Sequence, residues 1–320
     1  MDEALRLGVD LGGTKTEAVV VRLGAERFEE LARVRLPTGR DGGYEHVLQT
    51  TVDVIARATR DAGLSAPPPI GVGMPGSVTT RRADGTRSDA PLVKNSNTIC
   101  LNGRTFRADL VDAVGEPVAF ANDANCFALA EATYGAARDV VGMVFGVILG
   151  TGVGGGLVVR RAGAPAWAWE GVQGIAGEWG HVVLDPDRGP ACYCGKRGCV
   201  EQYLSGPALE RVYRARSGTP RPLAEIALRR GDDPQARFVI SELLEHFGRA
   251  LATVIDVVDP AMVVLGGGVS NLDLLYDEGV ASVARWVFND ELLTPIVRNS
   301  LGDSGGVIGA ALLPVGTPGA

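Results

Sequence analysis

A short pattern occurs twice in this chain: a β-branched segment, a glycine-rich turn and a second β-branched segment. The first copy covers residues 5–23 with the turn GGTK at 12–15, and the second covers residues 144–159 with the turn GTG at 150–152. β-branched residues favour strands, and glycine supplies the backbone freedom that tight turns need. The pattern predicts two β-hairpins, and its repetition suggests two related lobes with a cleft between them.

The second copy lies in residues 140–159, a stretch of twenty residues without a charge, which is also the length of a membrane span. Seven of these residues are glycine, which weakens helices, whereas the valines and isoleucine favour strands. A buried hairpin is therefore the better interpretation.

The rest of the chain alternates between helical and strand-like segments. A helix is predicted at residues 44–62, strands at 70–74, 117–121 and 262–265, and mostly helices over 200–257. Alternating elements of this kind are typical of an α/β fold.

Composition excludes several classes of protein. With 31 basic and 38 acidic residues the net charge is −7, and no basic stripe is present that would neutralise a nucleic-acid backbone. Five cysteines are too few for a disulfide scaffold, and the acidic start of the chain does not resemble a signal peptide. We expect a cytoplasmic protein with no nucleic-acid or membrane partner.

The glycine turns do not match the common nucleotide-binding loops. In the first turn Thr14 precedes Lys15, whereas a P-loop has lysine first, and a strand rather than a helix follows each turn. The turns can instead present backbone amides and threonine hydroxyls to an anion, with Asp10 holding a divalent metal. Ordinary hairpins are the alternative.

Three thiols lie within eight residues, at Cys192, Cys194 and Cys199, and His181 lies shortly upstream. Three thiolates and one imidazole complete a closed, tetrahedral zinc site of the structural kind. The alternative is a chance cluster of reduced cysteines.

Asp123 follows a predicted strand and opens a predicted helix, CFALAEATYG. A carboxylate at such a corner can orient a hydroxyl and accept its proton, and the helix dipole would keep it ionised. The alternative role is capping of the helix N-terminus.

Three segments, DLGGTK at 10–15, ILGTGVGGG at 148–156 and LGGGVS at 265–270, resemble the phosphate and adenosine segments of sugar kinases with the actin-like ATPase fold. With GEWGH at 177–181 and CYCGKRGCVE at 192–201, the chain resembles the ROK family (repressor, open reading frame, kinase).

This resemblance implies two ribonuclease-H-like α/β lobes around a cleft for ATP and sugar. The small N-terminal lobe would cover residues 1–120, with a C-terminal helix at about 305–316 packing back onto it. The large lobe would cover residues 121–304 and carry the zinc site.

The resemblance also implies roles for individual residues, with ATP, Mg²⁺ and structural Zn²⁺ as cofactors. The nucleotide and its metal would be held by Asp10, Gly12, Gly13, Thr14, Lys15, Gly150, Thr151, Gly152, Gly266, Gly267 and Gly268. The sugar would be bound by Ser77, Asn97, Asn122, Asp123, Glu178, His181 and Glu201, with Asp123 as general base. The zinc ligands would be His181, Cys192, Cys194 and Cys199.

The implied activity is an ATP-dependent hexose kinase. Residues 93–110 and 174–181 look most like bacterial ROK fructokinases and mannokinases, so we expect conversion of D-fructose to D-fructose 6-phosphate. The alternative is an N-acetylglucosamine, glucose or mannose kinase of the same family. A homodimer is common in the family and is expected here.

Two other classes are disfavoured. Family repressors carry a DNA-binding region before the DLGGTK segment, and only nine residues precede Asp10 here. A sugar-binding protein without activity would be expected to lose Asp123 or a phosphate turn, and none is lost.

Overall fold

The protein is described from a computed structural model that covers residues 4–313. By its internal contacts the chain divides into two compact units. Within the described residues, the first consists of residues 4–135, 167–176 and 303–313, and the second of Ala136–Ala166 and Gly177–Gly302. The predicted boundary after residue 120 lies inside the first of these units, which continues to Gly135.

The strands and helices are numbered in chain order. The strands are β1 (Ala4–Leu11), β2 (Lys15–Leu23), β3 (Phe28–Pro37), β4 (Ile70–Met74), β5 (Ser77–Arg81), β6 (Arg87–Lys94), β7 (Val118–Asn122), β8 (Gly142–Leu149), β9 (Val153–Arg160), β10 (Trp167–Ala168), β11 (Met262–Gly266) and β12 (Ile296–Arg298). The helices are α1 (Gly43–Asp61), α2 (Phe106–Val114), α3 (Asp123–Thr133), α4 (Glu201–Leu204), α5 (Gly206–Ser217), α6 (Leu223–Leu228), α7 (Pro234–Val258), α8 (Glu278–Trp286) and α9 (Gly305–Ala311).

Each unit contains a mixed sheet of the same design. In the first unit the order is β3-β2-β1-β4-β7, with β1 antiparallel to β2 and parallel to β4. In the second unit β9, β8, β11 and β12 are neighbours in that order, with β8 antiparallel to β9 and parallel to β11. A hairpin followed by parallel strands thus occurs twice, which confirms the predicted α/β class.

Both predicted hairpins are present. The turn between β1 and β2 covers residues 12–14, and that between β8 and β9 covers residues 150–152. Strand β4 and helix α1 lie where the sequence predicts them. Within residues 4–313 no helix is long and apolar enough to cross a membrane, and residues 140–159 lie mainly in β8 and β9.

Two glycines allow helix α9 to lie directly on the sheet of the first unit. A Cβ atom on Gly8 of β1 would stand 2.1 Å from the carbonyl oxygen of Val307, and one on Gly71 of β4 would stand 1.9 Å from that of Ala310. Any side chain at either position would push the helix away. Helix α9 ends at Ala311, and residues 314–316 of the predicted C-terminal helix at about 305–316 lie outside the described residues.

Candidate functional site

The turn of the first hairpin is held by Thr38, the residue directly after strand β3. The Gly12 amide donates to the Lys15 carbonyl at 3.0 Å. Thr38 then binds the turn twice, because its hydroxyl donates to the Gly12 carbonyl at 2.7 Å and its amide donates to the Thr14 carbonyl at 3.0 Å. These bonds use the carbonyl oxygens of the turn and fix its shape.

Asp10 lies at the end of β1, directly across the ladder from Glu17 on β2. Its side chain faces the start of α9, where a Cβ on Gly306 would stand 3.2 Å from Asp10 Oδ2. Burial, together with the charges of Asp123 and Glu17, raises the pKa of Asp10 to about 7. The negative charge of this carboxylate is poorly balanced by nearby cations. A divalent metal at the predicted position would supply the missing positive charge.

Lys15 is paired with a carboxylate that the sequence analysis missed. Its Nζ lies 3.5 Å from Oε2 of Glu17, whose side chain is only 1% exposed. Burial alone would raise the pKa of Glu17, but hydrogen bonds from Arg35 and Arg33 outweigh burial and hold that pKa below its ordinary value. Lys15 would therefore have to leave its ion pair with Glu17 in order to make the predicted contact with phosphate.

The sequence left two alternative roles open for Asp123, proton acceptance and capping of the helix, and the structure identifies its neighbour as the N-cap. Asn122 is the N-cap of α3, since its Oδ1 accepts from the Ala124 amide at 2.9 Å, and its Nδ2 donates to the Gly76 carbonyl at 3.1 Å. Asp123 is the first residue of the helix, and its Oδ1 accepts from the same amide at 2.8 Å. Asn122 is therefore the helix cap. Its predicted contact with the sugar would compete with its hydrogen bonds to the Ala124 amide and the Gly76 carbonyl.

The surroundings of Asp123 shift its pKa upwards, not downwards. Burial raises the pKa of Asp123, and the amides of Ala124 and Asp123 itself lower it by less. The helix N-terminus is thus the weaker influence. A carboxylate with a raised pKa is a stronger base once it is ionised, which suits proton acceptance.

Two further predicted sugar contacts, Ser77 and Asn97, belong to the first unit. Ser77 is 5% exposed, and among the described residues its hydroxyl has no hydrogen-bond partner. Asn97 is exposed, and its Oδ1 is 3.9 Å from where a Cβ on Gly13 would stand, beside the first glycine turn. Because an unpaired buried hydroxyl costs free energy, Ser77 is a good candidate for a ligand contact.

The second hairpin turn is held by residues from far along the chain. The amide of Gly206, at the start of α5, donates to the Gly150 carbonyl at 2.9 Å. The Val153 amide donates to Oε2 of Glu201 at 3.1 Å, and a Cβ on Gly152 would stand 2.8 Å from the same oxygen. Glu201, predicted as a sugar contact, thus also supports the predicted phosphate turn around Thr151.

The third glycine segment lies next to this turn. Gly266 at the end of β11 is the parallel partner of Ile148 on β8. Gly267 has φ +83°, and a Cβ there would stand 2.4 Å from the Leu149 carbonyl, so only glycine fits. Nothing lies within 4 Å of a Cβ position on Gly268. Two glycine turns are therefore adjacent at the carboxyl ends of parallel strands, where ligands commonly bind in α/β sheets.

The four predicted zinc ligands lie together in the second unit. His181 Nδ1 is 3.7 Å from Cys192 Sγ, Cys194 Sγ is 3.6 Å from Cys199 Sγ, and all four ligand atoms lie within 4.8 Å of one another. Zinc–sulfur bonds of about 2.3 Å and zinc–nitrogen bonds of about 2.0 Å give edges of roughly 3.5–3.8 Å in a tetrahedron. The cluster therefore fits zinc in size and in the chemistry of its donors.

Tyr193 lies beside the four predicted zinc ligands, and the sequence did not identify it as a site residue. Its hydroxyl lies 2.9 Å from Nε2 of His181, and the two rings meet edge to face at 5.1 Å. Glu178 and Glu201 are close enough for their charges to act on Tyr193, and together with burial they raise its pKa. The only signal in the sequence was its position between two cysteines.

The sequence matches a known family along nearly its whole length. A model of the ROK family matches residues 6–316. Among curated relatives, proteins named N-acetyl-D-glucosamine kinase from Photobacterium profundum and Vibrio vulnificus are 36% and 35% identical. Both matches cover 96% of this chain and 98% of the relative.

Solved structures agree on the fold. A ROK hexokinase from Thermus thermophilus has a TM-score of 0.79 at 33% identity, with 96% of this chain and 97% of that chain covered. A ROK-family glucokinase from Streptomyces griseus, in complex with glucose and AMPPNP, has a TM-score of 0.76 at 29% identity, with 97% and 99% covered. The predicted actin-like ATPase fold is confirmed.

The predicted preference for D-fructose is wrong. The curated relatives carry the name of the alternative, N-acetyl-D-glucosamine kinase. The prediction used the local likeness of residues 93–110 and 174–181, and hexoses differ by single groups that a few tertiary contacts distinguish. Two short segments do not fix those contacts.

Proposed function

Because the chain belongs to the ROK family, we propose that it is an ATP-dependent sugar kinase whose substrate is N-acetyl-D-glucosamine. The observation that carries the choice of sugar is the agreement among relatives: proteins of this name from Photobacterium, Vibrio, Haemophilus and Pectobacterium are 33–36% identical over 96% of the chain.

Asp123 is the proposed general base. Transfer of a phosphoryl group to a hydroxyl needs a carboxylate that orients the hydroxyl and takes its proton. Support comes from its place directly after β7, from its partial burial and from its raised pKa, which favour proton acceptance.

The glycine turns are the proposed nucleotide contacts. In the first unit the turn at Gly12, Gly13 and Thr14 would present the amides of Gly13 and Thr14 to phosphate, with Lys15 released from Glu17 to add a charge. In the second unit the same role falls to residues 150–152 and 266–268. Asp10 would hold Mg²⁺, which neutralises phosphate charge when it is bound.

The proposed sugar contacts form two sets. Ser77, Asn97 and Asn122 belong with Asp123 in the first unit, and Glu178, His181 and Glu201 belong to the second. The zinc site would be structural, since four protein ligands leave no open position for a substrate. Its proposed effect is to fix His181 and, two residues beyond Cys199, Glu201.

Glucose is the second candidate substrate, because the ROK hexokinase and the glucokinase resemble the chain closely in structure. Purified protein should be assayed by coupled ADP release with N-acetyl-D-glucosamine, glucose, mannose, N-acetylmannosamine and fructose. We expect the highest kcat/KM for N-acetyl-D-glucosamine. A higher value for glucose would reject the proposed sugar, and no ATP turnover with any sugar would reject the kinase.

A further inference from the structure

The hydrogen bond between His181 and Tyr193 has a direction that the zinc site determines. Nδ1 is the ring nitrogen that faces Cys192, at 3.7 Å. A metal-bound nitrogen carries no proton, so the neutral ring keeps its proton on Nε2. Nε2 is then the donor, and the Tyr193 hydroxyl, 2.9 Å away, is the acceptor.

We propose that Tyr193 is a positioning residue that fixes His181 for zinc through this hydrogen bond. A neutral imidazole has two tautomers, and only the one protonated on Nε2 offers Nδ1 to a metal. An acceptor on Nε2 stabilises that tautomer and stops rotation of the ring. Groups that bind the second nitrogen of a metal-bound histidine commonly have this effect.

Tyr193 is suited to this task by its surroundings. It lies between Cys192 and Cys194, so the segment that supplies two thiols also supplies the acceptor. The edge-to-face contact of the two rings, at 5.1 Å, holds the hydroxyl in line with Nε2. The bond to Tyr193 also uses the only N–H proton of the His181 ring, so the proposed sugar contact of His181 would pass to the Tyr193 hydroxyl, which still has its own proton to donate. This inference rests on the proposed zinc site and not on the identity of the sugar.

The test uses Tyr193→Phe, which keeps the ring and removes the hydroxyl. Zinc affinity of the purified full-length protein is measured by competition with a chromogenic chelator. We expect zinc binding to weaken about 10- to 100-fold, the usual effect of losing such a partner. Tyr203→Phe is the matched control, because that ring stacks on His246 instead, and its zinc affinity should equal that of the wild type.

A spectroscopic signal separates positioning from a general loss of structure. The chain has three histidines, so a spectrum of protein labelled with ¹⁵N-histidine contains few ring signals. In the zinc-loaded protein the Nε2 proton of His181 should be visible, and in Tyr193→Phe it should exchange with water and disappear. The KM for the sugar should rise while that for ATP stays unchanged.

Either of two results would overturn the proposal. One is a zinc affinity of Tyr193→Phe within twofold of the wild type. The other is a lower KM for the sugar in the variant, because it would mean that Tyr193 competes with the substrate for Nε2. Neither result would touch the kinase assignment, which the sugar panel tests separately.

Discussion

The two glycine hairpins have the same backbone design and different surroundings. The turn between β1 and β2 lies among charges: Asp10 precedes it, and the ion pair of Lys15 with Glu17 follows it. The turn between β8 and β9 contains no charged residue, and its support comes from Glu201 and Gly206, far along the chain. The charged residues at the first turn belong to the two strands of that hairpin. The hydrogen-bond partners of the second turn belong to other elements of the fold.

This difference indicates how the two turns should respond to mutation. Near the first turn, the removal of a charge should alter reactivity and pH dependence. Near the second, the removal of a contact should alter shape and binding. Four experiments test this distinction, from the largest expected effect to the smallest.

Replacement of Asp123, whose charge acts on Asp10, should have the largest effect. Asp123→Ala should lower kcat by about 10²- to 10⁴-fold, the usual contribution of a general base. Steady-state turnover and ATP affinity are the measurements, and the latter should change little. Asp112→Asn, an exposed carboxylate on α2, is the control. Near wild-type turnover in Asp123→Ala would exclude it as the base.

Asp10 should make stability depend on pH. Its pKa of about 7 lies above the ordinary 3.8, so between these values the folded state binds more protons than the unfolded state. The free energy of unfolding should therefore fall as pH rises from about 4 to about 7, by at most about 4 kcal/mol. Urea unfolding without added magnesium should show a flatter pH profile for Asp10→Asn. An unchanged profile would contradict the raised pKa.

Loss of the Glu201 carboxylate should loosen the second turn. Glu201→Ala leaves the Val153 amide without its acceptor, which should cost about 1–3 kcal/mol and raise the KM for ATP. Glu210→Ala is the matched control, since Glu210 accepts from the Leu223 amide at 2.8 Å. Both variants should lose stability, but only the first should bind ATP more weakly. If Glu201→Ala and Glu210→Ala had equal KM values for ATP, Glu201 would have no role in nucleotide binding.

Two glycines of the same turn should give the smallest effects and should differ. A Cβ on Gly152 would stand 2.8 Å from the Glu201 carboxylate and force it to shift, whereas nothing lies within 4 Å of one on Gly150. Gly152→Ala should lower the melting temperature, and Gly150→Ala should change stability by less than about 0.5 kcal/mol. If both variants were equally stable, Glu201 would not be held tightly at this turn.

Local features of the chain were predictable because their causes are local. Glycine in a turn and β-branched residues beside it specify a hairpin whatever surrounds them, so both hairpins and strand β4 lie where expected. The predicted zinc ligands are equally local, since three of the four lie within residues 192–199. The α/β class followed from the order of such elements.

The properties of individual site residues depended on tertiary contacts. The pKa of Asp10 depends on Asp123, which is far along the chain, and on burial beneath α9. The choice of Asn122 over Asp123 as N-cap depends on where the backbone becomes helical, because Asn122 is still extended and Asp123 is the first helical residue. The sugar preference was missed for the same reason, because it depends on a few contacts among distant segments.

The sequence by itself determined the hairpins, the proposed ligand set for zinc and the family, since each is specified by residues close together in the chain. Only the tertiary structure decided that Glu201 supports the second turn and that Tyr193 faces His181. Hydrogen bonds and ion pairs act over a few ångströms, and spacing along the chain does not measure that distance once the chain has folded.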